Sequence, residues 1–104
     1  MRDYSICVVG GWCGNRMVIV ADHLCELLTQ AGFPVKVKTH SVWENFSSPP
    51  EADLILQLLP AYSQAETQKT IINIRPLLRD LDEPEIIEEI MNRVKFDFLL
   101  RESN

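Results

Sequence analysis

Residues 4–17 read Tyr-Ser-Ile-Cys-Val-Val-Gly-Gly-Trp-Cys-Gly-Asn-Arg-Met, and this stretch decides the fold. Its first half, Ile6, Cys7, Val8 and Val9, is apolar without alternation. A strand that is apolar on both sides belongs inside a parallel sheet with both faces covered. Gly10, Gly11 and Gly14 follow, placing three of the chain's four glycines within five positions. Backbone freedom is therefore concentrated where the strand ends. From Asn15 or Arg16 to about Gln30 the period changes. Met17, Val20, Ala21, Leu24, Leu27, Leu28 and Ala31 recur at spacings of three and four, the stripe of a helix packed on a sheet. Gly32 stands where a helix C-cap belongs. The β-branched Val18, Ile19 and Val20 are poor helix formers and weaken the first turns of this helix.

Outward from this unit the same alternation continues. Phe33 to Thr39 alternates apolar and polar residues, a strand whose lysines suggest a sheet edge. Ser41-Val-Trp-Glu44 has the form of a capping box and predicts a short helical turn, ended by Ser47-Ser-Pro-Pro50. Ala52 to Leu59 is a second buried apolar run, closed by Pro60. Ala61 to Lys69 is polar and reads as a loop or loose turn, and Thr70 to Ile74 as a short strand closed by Pro76. Asp82-Glu-Pro-Glu85 starts a last helix, with Asp82 as the cap, Pro84 in the first turn, and Glu83 and Glu85 at the positive end of the helix dipole. Ile86, Ile87, Ile90, Met91 and Val94 give its buried stripe through about Phe98, and residues 101–104 are expected to fray. Strands alternating with helices predict an α/β fold. The expectation is one three-layer, Rossmann-like domain over residues 1–104, with a four-stranded, mainly parallel sheet and helices on both faces.

Composition narrows the function. At 104 residues and 46% apolar content, the chain is sized for one domain with one modest core, worth on the order of 5–10 kcal/mol of stability. Fifteen acidic against ten basic residues, net −5, argue against a nucleic-acid binder, which needs a basic face. No apolar run approaches the roughly 18–20 residues of a membrane span, and the N-terminus lacks the pattern of a signal peptide. Cys7, Cys13 and Cys25 form neither a disulfide framework nor a Cys-x-x-Cys pair, which points to reduced thiols in a cytoplasmic protein.

The glycine turn is the place for chemistry, because ligands of parallel sheets bind beyond the carboxyl ends of the strands. Backbone N–H groups of Gly10, Gly11, Trp12, Gly14 and Asn15, added to the helix dipole, favour an anion, most often phosphate. Cys13 near that positive end would have its thiolate stabilised, and Arg16 would add a charge-assisted contact. The plain alternative is a tight turn with an inert thiol. The loop has no Gly-x-Gly-x-x-Gly, no Gly-Lys-Ser/Thr, and no Arg six residues after Cys13, where Ile19 stands. Cys7 and Cys25 read as core. His23 reads as a solvated helix residue. His40, after the second strand, lies at the same end of the sheet as the turn. Two histidines without paired spacing make a zinc site improbable. Trp12 either folds back onto the core or is offered to a partner. The glutamates at 83, 85, 88 and 89 read as a solvated helix face.

The element order and several strings resemble the IIB components of the bacterial sugar phosphotransferase system, in particular the galactitol and ascorbate type. The resemblance runs through the first strand and its Cys/Gly loop, the helix from Met17 to Leu28, and Lys-Thr-His-Ser-Val at 38–42. It continues through Ala-Asp-Leu-Ile at 52–55 and the closing strand and acidic helix from 71 to about 94. It implies a phosphocarrier in which a loop cysteine accepts a phosphoryl group from a phosphohistidine on a IIA partner. The group then passes to a sugar bound by the membrane IIC component, with no cofactor, no metal at the thiolate, no nucleic acid and no insertion into the membrane.

The chain departs from that family inside the loop, which in the family reads roughly Cys-Gly-x-Gly directly after the strand. Aligned on the helix, the family cysteine falls at Gly10, and Cys13 falls on the second glycine. Either the loop is slipped and Cys13-Gly14-Asn15 takes the role three residues later, with Arg16 replacing the family's Ser/Thr donors. Or the chain is a degenerate IIB-like interaction or regulatory module that binds its partner through Trp12 and the loop without phosphocysteine chemistry. Cys13 is the only thiol the loop offers, which favours the first.

Overall fold

The computed structural model describes residues 4–11, 14–42 and 50–103. Its elements in chain order are β1 (Tyr4–Gly10), α1 (Gly14–Gln30), β2 (Val35–Ser41), β3 (Leu54–Gln57), β4 (Thr70–Asn73) and α2 (Pro84–Ser103). Short 3-10 turns occupy Gln64–Glu66 and Arg75–Leu78. The four strands form one all-parallel sheet in the order β2-β1-β3-β4, so the first strand is central and β2 is an edge. The fold is a three-layer, Rossmann-like α/β arrangement.

The unbroken apolar run of β1 is explained by its register. Ile6 and Val8 face one side with Leu54, Leu56, Leu58, Ile72 and Ile74, and this face packs against Met17, Val20, Ala21, Leu24 and Leu28 of α1 and Ile90 and Val94 of α2. Cys7 and Val9 face the other side with Ile55, Ala52 and Tyr62, joined by Val42, Ala61 and Ile71. Both long helices therefore share one face. The described cover of the second face comes from the connections on either side of β3. Each fully buried Leu, Ile or Val contributes ~1.5–3 kcal/mol, so the α1–sheet–α2 face dominates the stability.

α1 ends as the sequence predicts. Gly32 adopts φ +95°, its N–H donates to the Thr29 carbonyl, and the Phe33 N–H donates to the Leu28 carbonyl. These two bonds make a Schellman motif, which requires a left-handed residue at Gly32. At the amino end of the sheet, Ser5 N–H donates to Asp53 Oδ2 at 2.8 Å, and Tyr4 Oη donates to Asp97 Oδ2 at 2.6 Å. Asp97 also pairs with Arg93 at 3.0 Å, so one carboxylate ties α2 to β1.

Several boundaries differ from the sequence reading, each for a tertiary reason. The edge strand runs 35–41 instead of 33–39, because Phe33 completes the helix cap. Ser41 is the last residue of that strand and Val42 begins a turn; Trp43 and Glu44, on which the expected capping box depends, lie outside the described residues. The run at 52–59 pairs over only four residues, Leu54–Gln57. Ala31 is exposed, because α1 has already ended. Asp82 does not cap α2: its Oδ1 lies 2.8 Å from His23 Nε2, a pair only the folded chain brings together. α2 continues to Ser103, with the Arg101 guanidinium over the rings of Tyr4 and Phe98 at 5.8 and 5.7 Å.

Candidate functional site at the carboxyl rim of the sheet

The carboxyl ends of the strands gather Gly10, Gly11, the first turn of α1, His40 and Ser41 of β2, Gln57 of β3 and Asn73 of β4. Gly10 is buried in the last position of β1, paired with Ser41, and its carbonyl accepts the Val42 N–H at 3.0 Å. It is thus a strand residue, and the turn proper begins at Gly11. A side chain at 10 would put Cβ 2.8 Å from Met17 Sδ, so the close approach of the Met17 side chain favours glycine there.

α1 begins at Gly14, and the first-turn N–H groups of such a helix have no intrahelical acceptor. That turn carries no acidic side chain to occupy them. Asn15 and Arg16 are exposed there. The Arg16 Nη1 donates to the Leu78 carbonyl at 2.9 Å, across a groove of about 350 Å³ between α1 and the Arg75–Leu78 turn. The guanidinium is thereby anchored by one of its five N–H donors. Gly10, Gly11, Gly14, Asn15 and Arg16 are thus placed around one strand-to-helix junction. Trp12 and Cys13, which the sequence places inside that junction, lie outside the described residues.

The other thiols are set apart from the rim's chemistry. Cys7 is fully buried beneath the second face, and burial pushes its thiol up to about 11 despite the opposing pull of Lys38. Cys25 is half-buried in the middle of α1. His23, expected to be solvated, instead links α1 to the lead-in of α2 through Asp82, with its side chain 25% exposed.

Two rim residues escaped the sequence reading. Gln57 is buried and uses both ends of its amide on Tyr62, donating Nε2–H to the carbonyl at 3.0 Å and accepting the N–H at 3.2 Å. Tyr62 is itself buried, and burial raises its phenol above the ordinary value. Its Oη lies 3.1 Å from His40 Nε2. The available signal was a glutamine interrupting the apolar run from Leu54 to Leu59.

Among the described residues no group of three His, Cys, Asp or Glu side chains is arranged to hold a metal ion. No described helix is long and apolar enough to cross a membrane. No protein-family model and no curated protein matches the chain.

Proposed function

We propose that this chain is a cytoplasmic phosphocarrier of the sugar phosphotransferase type. In this reading Cys13 accepts a phosphoryl group from a IIA phosphohistidine and passes it to a sugar held by a membrane IIC component. The observation that supports the reading best is the junction between β1 and α1. A central parallel strand ends at Gly10, and a helix with an acid-free first turn begins at Gly14, with the only thiol of the loop between them. Such a junction supplies backbone donors and a positive dipole end, and it lowers the pKa of a thiol placed there.

Chemically the step needs no metal. The Cys13 thiolate attacks phosphorus, the P–N bond of the donor phosphohistidine breaks, and its electron pair returns to the donor ring. Amides at the turn and Arg16 would balance the charge on the equatorial oxygens. Cys7 is excluded as the acceptor by its burial and raised pKa.

A second reading, a IIB-like interaction module without covalent chemistry, is favoured by one feature. Val18 and Ile19 are 47% and 51% exposed on α1, beside the junction, although both are poor helix formers. Alkylation separates the two. Under the phosphocarrier reading Cys13 reacts faster than Cys7 and Cys25 at pH 7, and inorganic phosphate slows it. Equal native rates for the three thiols, insensitive to phosphate, would leave only the interaction module.

A further inference from the structure

The carboxyl rim carries one polar construction that packing of the sheet does not require. Gln57, at 6% exposure, is a buried polar side chain at the carboxyl end of β3, directly after the apolar Leu54, Ile55 and Leu56. Burying an amide costs free energy unless both its ends are bonded, and an aliphatic side chain would fill β3 without that demand. Both ends of the Gln57 amide are spent on the backbone of Tyr62. The result is a fixed tyrosine, packed with Cys7, Val9 and Ile55, whose Oη meets His40 Nε2 at 3.1 Å. His40 is the register partner of Val9, and the next pair is Gly10 with Ser41. Three segments, β3, the loop after it and β2, thus converge on one oriented imidazole beside the glycine turn. That position lies at the strand ends where ligands of parallel sheets bind.

We propose that His40 is an anion ligand of this rim: with Nε2 held by the Tyr62 hydroxyl, its Nδ1–H is offered to an oxygen of a phosphate or phosphoryl group at the turn that begins at Gly11. The inference rests on the phosphocarrier reading in taking that turn as the anion's place. Hydrogen-bond polarity supports it. A neutral imidazole has one donor and one acceptor nitrogen. In the neutral tautomer in which the Tyr62 hydroxyl donates to Nε2, the ring proton sits on Nδ1. In the protonated ring Nδ1 also donates. Both of these states present a donor at Nδ1, which suits an oxyanion; the other neutral tautomer, with Nε2–H donating to the phenol oxygen, presents an acceptor, and the ring 15N shifts tell the two apart.

The chain has only two histidines, so the experiment is direct. Inorganic phosphate is titrated into the full chain at fixed pH and ionic strength, with sodium chloride as the balancing salt. The ring 15N signals of His40 and His23 are followed together with the backbone amides of Gly10, Gly11 and Asn15. The expected result is a saturable shift of the His40 ring with the same binding constant as the amides, while His23, paired with Asp82, stays still. His40→Gln and Tyr62→Phe, checked for folding by their amide spectra, each weaken phosphate binding, by about tenfold for His40→Gln. Amides that respond while the His40 ring does not, or His40→Gln binding phosphate as tightly as the parent, overturn the role of His40 and leave the phosphocarrier reading intact. No response from ring or amides up to roughly tens of millimolar phosphate overturns both.

Discussion

Gly10→Ala tests whether the strand truly runs to the edge of the glycine turn. The new Cβ would stand 2.8 Å from Met17 Sδ and 3.3 Å from its Cγ, with Leu58 Cδ1 at an ordinary 3.6 Å. Only the methionine must give. Its thioether is flexible, but Met17 is 6% exposed and lies in the first turn of α1, so it yields into packed core. Overpacking of this kind costs ~1–3 kcal/mol, and the soft partner places Gly10→Ala at ~1–2 kcal/mol. Met17→Ala removes the obstacle but leaves a cavity, at ~2–4 kcal/mol. In the double variant the alanine methyl enters space the sulfur has vacated. The pair should therefore cost ~1 kcal/mol less than the sum of the singles, beyond the ~0.3–0.5 kcal/mol scatter of independent sites. Urea unfolding of the four proteins measures this, and ~1 kcal/mol corresponds to ~4–8 °C in Tm for a domain of this size. Strict additivity, or a Gly10→Ala protein as stable as its parent, would refute the reasoning, because Gly10 would then belong to an open loop and not to the packed end of β1.

Other consequences follow from the same contacts. Gly32→Ala should lose ~1 kcal/mol in thermal unfolding although a Cβ there meets nothing within 4 Å, because φ +95° is strained for alanine; unchanged Tm would contradict the Schellman cap. Burial raises the Cys7 thiol from 9.0 to about 11, so the folded state holds a proton that the unfolded state releases. The stability this provides is complete below pH 9 and is lost as pH rises toward 11, by ~2–3 kcal/mol. Denaturant midpoints across that range should fall less steeply in Cys7→Ala; identical slopes would place the thiol in water.

The fold was legible because its signals are local. The two-sided apolar run of β1, the stripe from Met17 to Leu28, the cap glycine at 32 and the lysines of an edge strand each encode one element's surroundings in its own spacing. What escaped depends on partners distant in sequence. Asp82 has the chemistry of an N-cap, but His23 stands 59 residues away and takes its carboxylate. Arg16 is placed for an anion by its sequence position, yet it reaches a carbonyl 62 residues on. His40 looks like an ordinary loop histidine until Gln57 and Tyr62 are seen to hold it. Helix assignment to the two faces was equally invisible, since an amphipathic stripe says that a helix is covered and not on which side of the sheet it lies.

Phosphoryl transfer to the loop thiol is the claim on which the functional account stands. The full chain is incubated with a phosphorylated general donor and a matching IIA protein and then weighed intact, with Cys13→Ser in parallel. The account predicts a single added phosphoryl group that maps to Cys13 and is lost in the serine variant; no mass gain with the parent, or an equal gain in Cys13→Ser, would contradict it.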